Sequence, residues 1–365
     1  MTYTFKRSAA LLGLVASSSL VLAACSETGN SSSEGAESPE NLSGASGQLV
    51  AEGASSQQKA MDLFGIKFNE STGNNLSYTA TGSGSGQKQF IAGQVAFGGS
   101  DSPLDEEQVA AAAKRCEGND AWHLPMVIGP VAVAYNLDGV DGLNLSVENV
   151  AKIFKGEITT WNDEAIAAEN EGVDLPDDKI EVVYRSEESG TSDNFQKFLK
   201  AAVPDLWDTT GKSFPSTTGA GANGSTGVVG QVSDTPGAIT YVEAGFATEA
   251  GLGVANIDFG HGPVELNNET VGKALDNLEY AGEGHDMVVD ANKLFSMDVE
   301  GAYPVVLTTY EIVCSAGYDE NTAGLVKDFL KVVLANQDQD LETQGYIPVS
   351  GEFKKKLEDA VDALQ

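Results

Sequence analysis

Short β-rich runs alternating with amphipathic helical stretches constrain this chain most. Val131-Ala132-Val133-Ala134-Tyr135, Ile180-Glu181-Val182-Val183-Tyr184, Ile239-Thr240-Tyr241-Val242 and Val305-Val306-Leu307 read as strands. Between them lie helical spacings. Ser146 is placed to cap a helix whose apolar positions Val147, Val150, Ile153 and Phe154 share a face and which Gly156 ends. Leu325, Val326, Phe329, Leu330, Val333 and Leu334 mark another helix near the C-terminus. This alternation, with no internal repeat, predicts α/β layers and argues against an all-α or all-β fold. At 365 residues the chain suits two lobes, because single hydrophobic cores stop growing at about 250–300 residues.

The N-terminus stands apart from that pattern. Lys6 and Arg7 precede an uncharged apolar core containing Leu11, Leu12, Leu14, Val15, Leu20, Val21 and Leu22. It is short and rich in Ala and Ser, so it reads as an export signal and not as a membrane span. It ends in Leu22-Ala23-Ala24-Cys25, which resembles the bacterial lipobox. Residues 1–24 are therefore expected to be a lipoprotein signal peptide and Cys25 the lipidated residue. An ordinary signal peptide with an incidental Cys is the alternative. Residues 25–47 lack any hydrophobic period and are expected to form a flexible tether, with a reach of roughly 26 Å by random-coil scaling. With Cys25 lipidated, Cys116 and Cys314 remain as an even pair. Outside the cytoplasm they are expected to form a disulfide, with two free thiols as the alternative.

Composition excludes one large class. The chain carries 54 acidic against 21 basic residues, a formal charge of −33 that becomes −35 once Lys6 and Arg7 leave with the signal. A basic nucleic-acid binder is ruled out, because it needs a positive footprint for phosphates.

Three segments share one design. In Glu52-Gly53-Ala54-Ser55-Ser56-Gln57-Gln58, Ser55 is placed to cap a helix with Gln58 closing a capping box, before Met61, Leu63 and Phe64 turn inward. Thr81-Gly82-Ser83-Gly84-Ser85-Gly86 opens a helix containing Phe90 and Ile91. The strand ending at Arg185 runs into Ser189-Gly190-Thr191 and a helix with Phe195, Phe198 and Leu199 on one face. Helix N-termini present free N–H groups and partial positive charge, so such loops suit an anion. A fourth segment, Phe97-Gly98-Gly99-Ser100-Asp101-Ser102-Pro103-Leu104, follows closely. Asp101 either caps the helix beginning near Glu106 or faces the anion, and the latter requires a ligand with a proton to donate.

These motifs, with Ile158-Thr159-Thr160-Trp161-Asn162-Asp163 and Gly237-Ala238-Ile239-Thr240-Tyr241-Val242-Glu243, resemble the PstS family. The similarity runs from about Gly53 to Ser350. It implies an α/β, two-lobed periplasmic-binding-protein fold of type II, with a ligand cleft between the lobes. By that resemblance Ser55, Ser56, Ser83 and Asp101 contact phosphate from one lobe, and Arg185, Ser189, Gly190 and Thr191 from the other. Ser55 and Ser56 stand where the family pattern usually has Thr followed by Phe. Glu187 falls where an Asp often pairs with the Arg, and Glu188 replaces a common Gly.

The expected function is capture of inorganic phosphate and delivery to the transmembrane permease subunits of an ABC importer. The protein is expected to be a monomer, lipid-anchored on the outer face of the bacterial cytoplasmic membrane. Lobe I is expected from residues 48–129 and 300–365, and lobe II from 130–299. Another oxyanion, such as sulfate or molybdate, is the nearest rival, although Asp101 disfavours sulfate. Ser85-Gly86-Gln87-Lys88 and Ser192-Asp193-Asn194 match two fragments of penicillin-recognising acyl enzymes, but the Lys-Thr-Gly element is missing. Gly211-Lys212-Ser213 lacks the earlier Gly of a phosphate loop, since position 206 is Leu206. His123, His261 and His285 are scattered without ligand spacing. Neither catalysis nor a metal or cofactor is expected.

Overall fold

The computed structural model describes residues 39–215 and 218–365. The signal peptide, Cys25 and most of the tether lie outside the described residues. Among the described residues the strands are β1 (Gln48–Gly53), β2 (Asn75–Ala80), β3 (Phe97–Ser100), β4 (Ala121–Tyr135), β5 (Asn144–Ser146) and β6 (Glu181–Arg185). They continue as β7 (Ala220–Ala222), β8 (Ala238–Glu243), β9 (Gly253–Val254), β10 (Asn256–Asp258), β11 (Pro263–Val264) and β12 (Val306–Cys314). The main sheet runs β2-β1-β3-β12-β4-β8-β6-β7, with β9 against β4, while β11, β10 and β5 form a small second sheet.

The long strand β4 joins the two halves of the main sheet. Its residues Ala121–Pro130 pair antiparallel with β12, and Val131–Tyr135 pair antiparallel with β8. Sequence periodicity found only the last five residues of this strand, because Pro125 and Pro130 lack the N–H a ladder needs. The fold accommodates Pro125 at a register shift between Thr309 and Tyr310, where Tyr310 pairs with Pro125 and Met126 is passed over. Likewise Val305-Val306-Leu307 is only the entry to the nine-residue β12.

Helices follow the strands as the patterns predicted. Val147–Lys155 has Ser146 accepting from the Asn149 N–H and ends at Gly156 with φ 75°. Gly190–Ala202 is capped by Ser189, which accepts from the Ser192 N–H. The start after Ser55 differs from expectation. Ser55–Gln57 is a 3-10 turn, the helix Gln58–Thr72 begins after it, and neither start carries a side-chain cap. The Ser55 hydroxyl is committed elsewhere, as described below. Asp105, not Asp101, caps the helix Glu106–Arg115, in a capping box with Gln108.

Packing is continuous around both halves. Phe68 and Phe97 both meet Phe329 between the first helix, the sheet and the helix Glu320–Ala335. Phe154, Phe195 and Phe214 surround Tyr241 beneath β6. Cys116 and Cys314 are disulfide-bonded, with Cα atoms 5.4 Å apart across 198 residues of sequence. The expected tether is docked at its end: Ser43 donates its N–H and hydroxyl to Asp328 at 2.8 and 2.7 Å, and the Gly47 N–H bonds Asn74. These contacts hold Ser43 to Gly47 against the globular body, so the leash ends before Ser43.

Candidate functional site

The chemistry-bearing loops leave the C-terminal ends of β1, β2, β3, β6 and β7, where ligands of α/β sheets bind. They place two hydrogen-bond clusters side by side. Arg185, the last residue of β6 and only 2% exposed, centres the first. Its Nη2 donates to Ser55 Oγ at 2.7 Å, and Nη1 to Thr191 Oγ1 and Ser225 Oγ, each at 3.3 Å. Its Nε donates to Glu187 at 2.6 Å, and Nη2 bonds the same carboxylate. Tyr241 Oη accepts from the Arg185 N–H and pairs with Ser192 Oγ, fixing the strand end.

Asp101 centres the second cluster. Its Oδ1 accepts from Ser56 at 2.6 Å and Thr309 at 2.8 Å, and its Oδ2 from Ser83 at 3.3 Å. The Asp101 N–H donates back to Ser83 Oγ at 3.1 Å. Burial is the main reason its carboxyl is pushed up to about 6, and the nearby Glu243 carboxylate adds to it. One lone pair of Oδ2 therefore remains for a ligand that brings its own hydrogen.

Gly190 lies where the clusters meet. A Cβ there would sit 2.4 Å from Ser83 Oγ and 2.6 Å from Asp101 Cβ. Only a glycine lets the helix start at Gly190 approach Asp101 so closely. Asn194, one turn later, donates to the Asp101 carbonyl at 2.6 Å and the Gly190 carbonyl at 3.0 Å. All eight residues singled out from sequence, Ser55, Ser56, Ser83, Asp101, Arg185, Ser189, Gly190 and Thr191, are buried in this region. The substituted Glu188 fits by lying over Gly84, whose N–H donates to its carbonyl, and its carboxylate pairs with Lys88.

Several participants were missed. Ser225 donates its N–H to Ser55 Oγ at 3.0 Å, and Thr191 donates its hydroxyl to Glu243 at 2.7 Å. The run Asn223-Gly224-Ser225 repeats the Gly-Ser entry of the other loops and was a readable signal. Thr309 and Glu311 are polar positions, with Thr308, inside a strand whose two ends are apolar, which is a weaker one. Trp161 Nε1 donates to the Gly237 carbonyl at 3.0 Å and ties two of the quoted motifs together, while Tyr241 and Glu243 of the second reach the site.

The acyl-enzyme fragments have other partners. Ser85 bonds Glu52, Lys88 pairs with Glu188, and Ser192 pairs with Tyr241. His123 sits between the Leu104 N–H and Asp286, His261 against Asp298, and His285 beside Trp122. No cluster of metal-ligating type occurs among the described residues.

Residues 38–337 match the family model described as the PBP superfamily domain. The chain is 42% identical to phosphate-binding protein PstS 3 of Mycobacterium tuberculosis, over 98% of this chain and 99% of that protein. It belongs to the PstS family. A second relative, phosphate-binding protein PstS 2 of the same species, is 40% identical over 99% of each chain. The PstS fold also recurs in solved structures of lower identity. The phosphate-binding protein from Stenotrophomonas maltophilia matches with a TM-score of 0.66 at 22% identity, covering 86% of this chain and 93% of that one. A high-affinity periplasmic phosphate-binding protein solved with phosphate bound matches with a TM-score of 0.68 at 21% identity, with the same coverage. These likenesses give the two-lobed binding-protein fold.

Proposed function

We propose that this chain captures inorganic phosphate between its lobes and hands it to the permease of an ABC importer. The observation that carries the reading is the pairing of one buried guanidinium, Arg185, with one buried carboxyl, Asp101, across a glycine contact at Gly190. A tetrahedral anion bearing a hydrogen suits both: Arg185 and the helix N–H groups donate, and Asp101 accepts. A fully deprotonated oxyanion such as sulfate meets Asp101 as a like charge. The eight named residues are the proposed contacts, with Ser225 as a further donor beside Arg185.

The phosphate-binding relatives support phosphate as the ligand. The proposed lobes are residues 48–129 with 300–365, and 130–299. The change of β4 partner between Pro130 and Val131 supports the first boundary. Lipidation at Cys25, a position outside the cytoplasm and a monomeric state belong to the same proposal, as does the absence of catalysis. Calorimetry with phosphate and with sulfate at neutral pH tests the reading. Heat with phosphate alone is expected, and equal binding of both overturns the role of Asp101.

A further inference from the structure

Behind the Asp101 cluster lies a second carboxyl with no part in the contacts proposed above. Glu311, on β12, is fully buried and stands opposite Gly99 of β3. Gln57, also fully buried, donates its two amide hydrogens to Glu311 Oε2 at 3.3 Å and Tyr78 Oη at 3.1 Å. Tyr78 in turn donates to the Ala54 carbonyl at 2.8 Å. Every hydrogen in the group is thus committed, while Gln57 Oε1 and Glu311 Oε1 both lack a donor among the described residues. Two buried acceptors and no spare hydrogen describe a cluster short of one proton, and Glu311 is the group able to hold it.

Gly99 shows how tightly the cluster is built: a Cβ there would lie 2.3 Å from Gln57 Nε2 and 2.4 Å from Tyr78 Oη. The cluster also touches the site through its neighbours. Ser56 precedes Gln57 in the 3-10 turn, and Thr309 lies two residues before Glu311 on the same face of β12. Both donate to Asp101 Oδ1.

We propose that Glu311 carries its proton at neutral pH and, as a neutral acid, is a positioning residue that locks the Ser55–Gln57 turn behind the cleft, so that its ionisation sets an alkaline limit on phosphate capture. Burial, reinforced by the Asp101 carboxylate, pushes the Glu311 carboxyl up to about 8 despite the Gln57 hydrogen bond. Asp101 faces it from the β3 loop, and Tyr78, whose own hydroxyl is held well above its ordinary value mainly by burial, faces it from β2. From β4 the residue opposite is the apolar Leu124. Once ionised, Glu311 would place a second negative charge behind Asp101 and beside the bound anion. Losing the acid hydrogen would also leave Gln57 Oε1 and Glu311 Oε1 both buried without a donor, which loosens the turn that aims Ser55 and Ser56.

This inference rests on the phosphate-binding reading, and the test separates the two. Phosphate affinity of the full chain and of Glu311→Gln is measured by calorimetry from about pH 7 to about pH 9.5, together with thermal unfolding of both without phosphate. The amide mimics the protonated acid in shape and in having hydrogens to give. Above about pH 8 free phosphate is almost entirely dianionic and Asp101 is ionised, so those two groups no longer shape the profile. The wild type is expected to lose about tenfold in affinity through this range, while Glu311→Gln stays within about twofold of its value at neutral pH. The ligand-free melting temperature of the wild type falls as pH rises through neutrality to about 8 and levels off above it, while that of the variant stays flatter.

Parallel affinity and melting profiles for the two proteins would overturn the proposal. A wild type that binds no phosphate at any pH overturns the phosphate reading instead, and the ligand-free melting pair then decides the proton on its own. If the variant does not fold, the carbon-13 carboxyl resonance of Glu311 in the wild type decides: a titration midpoint well above neutrality supports the proposal, and an ionised carboxylate at pH about 7 sinks it.

Discussion

Asn194 donates its side-chain amide to the backbone carbonyl of Asp101 at 2.6 Å, tying the helix after Arg185 to the loop that carries the site carboxyl. The bond joins residues 93 positions apart and is buried. It forms only when the two loop systems meet, so it reports closure directly. Asn194→Ala is expected to weaken phosphate binding by about 1–2 kcal/mol, roughly five- to thirtyfold, leaving ligand-free stability less affected. The contrast between calorimetric affinity and melting temperature checks it.

Gly190→Ala separates folding from closure more sharply. Alanine is the better helix former by about 1 kcal/mol, so the helix Gly190–Ala202 should tolerate it. The added methyl would lie 2.4 Å from Ser83 Oγ and keep the clusters apart. Near-complete loss of phosphate binding with an unchanged circular dichroism spectrum is the expected result, and retained affinity would refute the close approach.

Arg185 carries the positive charge of the cleft centre. Replacement by Ala should cost about 3–5 kcal/mol in phosphate affinity, because Glu187 and the anion then share a buried space without their cation. Arg185→Lys should recover only part of this, since an ammonium cannot serve Ser55, Thr191, Ser225 and Glu187 in one plane. Binding isotherms of the three proteins rank the losses.

Asp101 gives a signed pH dependence. Its carboxyl is raised from its ordinary 3.8 to about 6, chiefly by burial. A raised acid favours the folded state at low pH: the contribution is complete below about pH 4 and is lost as pH climbs through about 6. The size is roughly 3 kcal/mol. Melting without ligand should therefore show the wild type losing stability across that window. Asp101→Asn should remove this part of the slope and leave the part due to Glu311, be the more stable protein near pH 8, and bind sulfate better relative to phosphate.

The Cys116–Cys314 bond closes a loop with a sequence separation of 198. On the chain-entropy view it stabilises by up to about 5 kcal/mol. Unfolding under reducing and non-reducing conditions, with the double Ser variant as control, should show a large drop in midpoint on reduction and none in the control.

What the sequence revealed depended on how local each determinant is. The helix Val147–Lys155 was legible to its ends because Ser146, its apolar spacing and Gly156 all lie within one short segment. Ser55 was misread as a cap because its hydroxyl is claimed by Arg185, 130 residues away, which no local pattern reports. The eight site residues were found through their shared Ser/Thr/Gly loops. Thr309 and Glu311 enter from a strand over two hundred residues beyond Asp101 and Gln57, so only the folded sheet brings them in.

Continuity of β4 has a mechanical meaning. One peptide chain serves as the spine of both halves, and it changes neighbours at a proline that has no N–H to contribute to the ladder. A bend at that proline has no backbone N–H bond of its own to break. With the proposed boundaries the chain crosses between the lobes a second time near residue 300, so opening would flex β4 at Pro130 together with that crossing while the sheet beneath the cleft stays whole.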